Sequence, residues 1–482
     1  MEKWLLKEAR HRLFIDVFDP LGSGREAEPL EVALSLGALG STATRMRVYD
    51  EDGAVVSSQV TGLAPGADGG LAFANLCFII DMAAGATSRR YHVYLHDGAV
   101  GDGEPLDGMR QLKPELSDGV RRLDTGAYVL ELCRGTAAGH GGSKWGIRHF
   151  ESKQQGVNLI KDHNNALGGV YGPFFTIENG LINPPAHMVI DVQPLTEGPV
   201  LCRYRMRGVV PDGLRPELKG KRLDMAWSFY HRSHWFVRQY VIDDYETTID
   251  GRPCRNRMTV GDEIESGEGN LLLSTYKHYE GTRYRSGDLY HKLLLDHIAD
   301  LRGREPELVG RAMKQLGIDP QSDTSAWHWD NYWRLFCVIE KALPNDVLIE
   351  EAESIRRAAN RVVWSDPGHT KLHFTNDHID VSEKPQQSIF PLNARKTCEF
   401  SPETGFSFVR YVNRVVPRMN IIQRRSSGWV NWGTNGENEY PELSSGSTIW
   451  SAYGRFDDWE LEADRMQTPV AISIGPVMQR DP

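Results

Sequence analysis

The sequence predicts a mainly β protein: a small N-terminal β-barrel or sandwich, then a large β-sandwich carrying a helical insertion. Three observations predict it. Short runs of alternating apolar and polar residues, separated by turns, fill the first hundred residues. The same pattern resumes on a larger scale after residue 110 and again after residue 366. Helical spacing is confined to the segment between. The expected organisation is an N-terminal β domain over 1–110, a first part of the sandwich over 111–285, a helical insertion over 286–365 and a second part of the sandwich over 366–482.

In the first domain the expected strands are Arg12–Val17, Leu30–Leu34, Thr44–Tyr49, Ala54–Val60, Leu71–Ile80 and Arg90–Leu95. Alternation is clearest where Arg45, Arg47 and Tyr49 interleave with Met46 and Val48, and Asp52-Gly53 supplies the following turn. The Gly/Asp/Pro-rich stretch Asp102–Gly108 marks the boundary. Beyond it, Ala127–Leu132, Trp145–Phe150 and Gly198–Arg207 read as strands, the last with Arg203, Arg205 and Arg207 on one face. Asp224–Tyr230 and Trp235–Ile242 read as a hairpin with a tight turn near Arg232-Ser233. Leu289–Ile298, Glu307–Leu316 and Asn345–Trp364 have helical spacing, and the pattern from Leu372 onward is β again.

Composition bounds the function. With 482 residues, 40% hydrophobic and 25% charged, the chain is an ordinary globular protein long enough for two to three domains. A net charge of −10 argues against a nucleic-acid partner, which requires a basic face. The start of the chain shows no signal-peptide pattern, and no apolar run is long enough to span a bilayer, so no membrane partner is expected. The six cysteines are scattered with no CxxC pair, as expected of reduced thiols in a cytoplasmic protein. No cofactor is implied. Among the histidines, His231 and His234 alone suggest a metal pair, and no further ligands fall at a recognisable spacing.

Three polar and aromatic clusters point to a sugar. The densest is Trp327-His328-Trp329-Asp330-Asn331-Tyr332-Trp333. Aromatic ring faces stack on the apolar face of a pyranose, while interleaved amide, imidazole and carboxylate groups bind its hydroxyls. Trp327, Trp329 and Asn331 are the expected substrate contacts here, and Asp330 and Tyr332 the expected catalytic groups. The second cluster, Gln423–Tyr440, adds Arg424, Trp429 and Trp432 for binding and Glu439 for catalysis. A polar island at Lys161–Asn165 adds His163 and Asn164 as substrate contacts on a glycine-rich rim. The hairpin brings Tyr230, His231 and His234 to one sheet end, the phenol and imidazoles that proton abstraction needs.

The phrases VYDEDGAVVSSQV (Val48 to Val60) and MAAGATSRRYHVYL (Met82 to Leu95) resemble the accessory N-terminal β domain of large bacterial carbohydrate enzymes, including exo-acting rhamnogalacturonan-lyase-like proteins. The pattern from Gly198 to about Asp244 is similar to the β-supersandwich of galactose-mutarotase-like proteins and several polysaccharide lyases. These resemblances imply sugar chemistry. The leading expectation is a lyase cleaving a uronic-acid-containing glycan by β-elimination, with Tyr230, His231, His234 or Tyr332 moving the proton and Arg424 or Asn331 neutralising the uronate. The alternatives are a glycoside hydrolase pairing Asp330 with Glu437 or Glu439, and a non-catalytic sugar-binding or mutarotase-like protein. An oligosaccharide or glycoside is the expected partner in each case.

Overall fold

A computed structural model describes residues 4–37, 45–67, 70–96, 108–112, 120–133, 146–160, 167–171, 189–209, 219–242 and 445–480, with shorter stretches between 247 and 433. The architecture is mainly β, as the alternating sequence requires.

The first domain holds β1 (His11–Phe18), β2 (Arg25–Ser35), β3 (Arg45–Asp50), β4 (Val55–Val56), β5 (Ser58–Pro65), β6 (Leu71–Met82) and β7 (Ser88–His96). One sheet runs β1-β7-β3-β4, and a second runs β2-β6-β5. Their inner faces meet in a core of Leu13, Ile15, Val17, Leu30, Val32, Leu34, Phe78, Ile80 and Val93. β2 shows why it is a strand: Leu30, Val32 and Leu34 are buried, whereas Glu31, Ala33 and Ser35 face outward. β6 is buried without a break from Leu76 to Ile80 because both its faces are covered. Leu76, Phe78 and Ile80 enter the domain core, and Cys77 and Ile79 pack on the second domain beside Leu201, Tyr230 and Val237. At the Asp50–Ala54 turn, Gly53 adopts φ 85° and its amide donates to the Asp50 carbonyl at 3.0 Å.

The second domain is a two-sheet sandwich. Its strands are β8 (Arg110–Leu112), β9 (Val120–Asp124), β10 (Tyr128–Cys133), β11 (Gly146–Ser152), β12 (Leu167–Tyr171), β13 (Val189–Glu197), β14 (Leu201–Val209), β15 (Arg222–Tyr230), β16 (Trp235–Ile242), the short pair β17 (Thr247–Ile249) and β18 (Arg252–Cys254), β19 (Thr259–Glu265) and β20 (Thr275–Tyr276). After helix α1 (Pro306–Gln315) come β21 (Gln386–Ile389), β22 (Lys396–Phe400), β23 (Phe406–Val412), β24 (Met419–Gln423), β25 (Ser427–Gly433) and β26 (Thr448–Arg455). One sheet has the order β21-β24-β25-β19-β12-β11-β10-β9-β8, and the other β13-β14-β15-β16-β26-β23-β22-β20. Strands from before and after α1 share both sheets, joined where β25 pairs β19 in the first and where β26 pairs β16 and β22 pairs β20 in the second, so the two sequence regions make one sandwich. Leu130, Ile147, Phe150, Tyr204, Met225, Trp227, Phe236, Phe408 and Tyr453 fill the space between the sheets.

The end of the chain departs from the expected pattern twice. Helix α2 (Trp459–Gln467) follows β26, N-capped by Asp458, whose side chain accepts from the Glu460 and Leu461 amides. Then β27 (Ala471–Ile474) and β28 (Met478–Gln479) return to the first domain and pair antiparallel with β1. The segment expected to finish the second sandwich therefore also closes the first domain. Of the expected insertion helices, Glu307–Leu316 corresponds to α1, whereas Leu289–Ile298 and Asn345–Trp364 lie outside the described residues.

Candidate functional site

The hairpin between β15 and β16 carries the expected proton-transfer groups, and its surroundings fix what each can do. Its tip, His231 to His234, is tied to three neighbours. The His231 amide donates to the Val200 carbonyl at 2.9 Å, and the Arg232 amide to the Thr125 carbonyl at 2.7 Å. Arg232 takes the left-handed conformation, φ 59°, to make this turn. Tyr128 donates its phenol to the Trp235 carbonyl at 3.1 Å, and the Ser233 hydroxyl accepts the Trp235 amide at 3.1 Å.

Tyr230 points out of this turn toward the first domain. Its hydroxyl donates to Glu31 Oε1 at 2.9 Å, and Arg203 donates to the same oxygen at 2.6 Å while its Nε bonds Ser228 at 2.8 Å. Tyr230 is 5% exposed. Burial, reinforced by the Glu31 carboxylate, pushes its phenol well above the ordinary value. A phenol held this way is a donor to Glu31 and not a base at neutral pH. His231 is buried, and His234 lies on the other side of the tip, with Nδ1 3.1 Å from the Tyr453 carbonyl and its ring edge-on to Phe456 at 5.9 Å. Tyr230 and His234 are thus near in sequence but turned to different neighbours, with the buried His231 between them.

The arginines of β14 are likewise engaged. Arg207 bonds Asp224 at 2.8 and 3.2 Å, and Arg205 reaches the same carboxylate. Burial raises the Asp224 carboxyl, but Arg207 and Arg205 outweigh it and hold the acid below its usual range. This is a charge ladder on the outer sheet face, in which two arginines share one carboxylate.

Of the expected substrate contacts, Trp429 and Trp432 lie on β25, an interior strand of the nine-stranded sheet. Trp429 is register partner to Glu263 and Ile422, Asn431 to Gly261 and Asn420, and Trp432 to Val260 and Met419. His163, Asn164, Trp327, Trp329, Asp330, Asn331, Tyr332, Arg424 and Glu439 lie outside the described residues. Among the described residues, no group of three or more His, Cys, Asp or Glu side chains is arranged to hold a metal ion.

A polar stripe inside the sandwich was not anticipated. Arg238 and Arg410 are fully buried on the inner face of the eight-stranded sheet. Arg410 bonds Glu399 at 2.5 Å and lies 4.0 Å over the Phe408 ring, and Arg238 bonds Ser451, the register partner of Arg410, at 3.1 Å. Its signal was present in the sequence: Arg238 falls in phase with Phe236 and Tyr240, and Arg410 in phase with Phe406, Phe408 and Val412. An arginine at an inward position of an apolar strand signals a buried pair.

No family model matches the chain, and no curated protein matches it. Among solved structures, an α-mannosidase from Enterococcus faecalis V583 aligns at TM-score 0.42 and 9% identity, covering 98% of this chain and 46% of that one. A glycosyl hydrolase family 38 protein from Enterococcus faecalis aligns at TM-score 0.45 and 9% identity, covering 98% and 48%. The chain spans about half the length of these two proteins.

Proposed function

We propose that this protein is a carbohydrate-active enzyme that hydrolyses a glycoside with a pair of carboxylates, Asp330 with Glu437 or Glu439, and does not cleave by β-elimination. The observation that carries the choice is the Tyr230 hydroxyl, buried and committed as a donor to Glu31. Elimination needs a phenol or imidazole free to take a proton from carbon, whereas Tyr230 and His234 face separate structural partners and His231 is buried. Hydrolysis needs only one protonated carboxyl to donate to the leaving oxygen and one carboxylate to activate water or attack the anomeric carbon. The sugar reading is supported by the sequence of β25, an interior strand that carries Trp429, Asn431 and Trp432.

The test follows new reducing ends and ultraviolet absorbance together, over a panel of neutral glycosides and uronic-acid oligosaccharides. Hydrolysis yields reducing ends without absorbance, and Asp330→Asn abolishes them. Absorbance rising with the reducing ends marks an unsaturated uronate and overturns the hydrolase in favour of the lyase.

A further inference from the structure

Where the first domain meets α2, five charged side chains are gathered from ends of the chain far apart in sequence. Arg25, Asp19 and Glu28 come from the first domain, Glu462 and Arg465 from the helix. The Arg25 and Asp19 side chains are fully enclosed, and those of Glu28 and Glu462 nearly so. Arg25 donates to Asp19 Oδ1 through Nη2 at 2.6 Å and Nε at 3.0 Å, and to Glu28 Oε2 at 2.9 Å. It also donates to the Arg465 carbonyl at 3.3 Å and the Thr468 carbonyl at 3.0 Å, capping the negative C-terminal end of α2. Arg465 bonds Glu462 at 2.9 Å and reaches back to Ser23 of the first domain, its Nη2 donating to the carbonyl at 3.0 Å. Glu462 accepts the Trp235 indole at 2.5 Å, tying the cluster to the hairpin.

The local backbone is bent to make this contact. Residues three apart on a regular strand lie on opposite faces, so Arg25 and Glu28 could not pair without the β-bulge between them. In that bulge Ala27 adopts φ 45°, held by Asp81, which accepts its amide at 2.8 Å. Asp81 itself faces Arg232 at 3.7 Å. A non-glycine residue in that region stores strain, and here the strain serves to place a carboxyl in the seam.

The charges do not balance. Asp19, Glu28 and Glu462 carry three negative charges when ionised, whereas Arg25 and Arg465 carry two positive ones, which never dissociate at ordinary pH. One carboxyl in a closed space is therefore in excess. Asp19 is not that one. Burial pushes it up, but Arg25 and the Leu21 and Gly24 amides more than reverse this, and its carboxyl stays below the usual range. Glu462 has an indole on one oxygen and a guanidinium on the other. Glu28 has Arg25 alone, already shared with Asp19.

We propose that Glu28 is a proton-operated latch between the first domain and α2, closed when its carboxyl holds a proton and loosened when it ionises. The working range lies near neutrality, since burial pushes Glu28 up to about 7 against the pull of Arg25, with Glu462 and Asp19 adding to the rise. Because the folded value lies above the unfolded one, the stabilisation is complete at low pH and is lost as pH rises through about 7. Loosening frees the C-terminal end of α2 from Arg25 and the Trp235 indole from its acceptor, so the change is transmitted from the domain seam to the hairpin.

Hydrogen exchange of the α2 amides, corrected for intrinsic chemistry and followed on the full chain from about pH 5.5 to 8.5, tests this. The expected result is a loss of protection of roughly tenfold across that range in α2 and the β2 bulge, extending to the Trp235 end of the hairpin and not to the rest of the sandwich. Glu28→Gln, which mimics the protonated acid, removes the pH dependence. Glu462→Gln deletes a charge that pushes Glu28 up and moves the midpoint to lower pH. Protection that does not change with pH, or an unaltered dependence in Glu28→Gln, overturns the proposal. Should Glu28→Gln not fold, an unmoved midpoint in Glu462→Gln overturns it equally.

Discussion

Tyr230 and Glu31, 199 residues apart in sequence, share a hydrogen bond of 2.9 Å across the seam between the two domains. The bond makes the hairpin part of the first domain's footing. Removing the hydroxyl by Tyr230→Phe leaves Glu31 its Arg203 partner, so the cost is that of one hydrogen bond, about 1 kcal/mol. A denaturant midpoint reads this loss, and turnover on a cleaved glycoside is expected to stay within a few-fold of the parent. A hundredfold fall in turnover with unchanged stability would instead make the phenol a catalytic group.

Gly198 and Gln59 predict a coupled pair. The Gln59 carboxamide accepts the Val200 and Leu201 amides at 3.0 and 2.9 Å and donates to the Leu201 carbonyl at 3.2 Å. A Cβ at position 198 would run into that carboxamide. Gly198→Ala is therefore expected to cost about 2 kcal/mol by expelling Gln59. Gln59→Ala should cost a similar amount, and the double variant much less than the sum, because the same contact is lost once. Additive losses in thermal melts would sink this account.

The Arg410 and Glu399 pair is enclosed in the sandwich. Glu399→Gln strands a buried guanidinium and is expected to destabilise by about 3 kcal/mol, whereas replacing both residues with apolar ones of similar volume costs less than the single change. Urea titrations of the three proteins decide it.

On the acid side, Asp224 has a folded value below its ordinary 3.8 because Arg207 and Arg205 outweigh its burial. Such a group contributes stability above the unfolded value and loses it as pH falls through the folded one. The melting temperature should drop steeply below about pH 4 and less steeply in Asp224→Asn. Identical acid limbs would show that the ladder contributes nothing.

The sequence displayed the strands whose two faces meet different surroundings. β16 begins and ends where alternation placed it, at Trp235–Ile242, and β23 (Phe406–Val412) falls within the region from Leu372 onward that reads as β. The hairpin turn at Arg232 was legible for the same reason. What the hairpin faces was not legible, since Glu31 meets Tyr230 only through the docking of two domains, and alternation describes one strand at a time. Helix α2 carries a visible cap in Asp458, but its nine residues show too few turns for the apolar stripe to stand out between β26 and β27. The stripe of Arg238 and Arg410 was present as phase with the inward apolar residues of β16 and β23. Trp429 and Trp432, read in sequence only as substrate contacts of the Gln423–Tyr440 cluster, lie on strand β25.

The pairing of β27 and β28 with β1 has a consequence for how the molecule is made. A first domain whose edge is completed by residues 471–479 cannot finish on the ribosome while the second is still being synthesised. During that interval β1 presents an open edge able to join a strand of another nascent chain. The order of translation and the order of assembly are thus reversed at this sheet, where strands that emerge after the whole second domain cover the edge of β1.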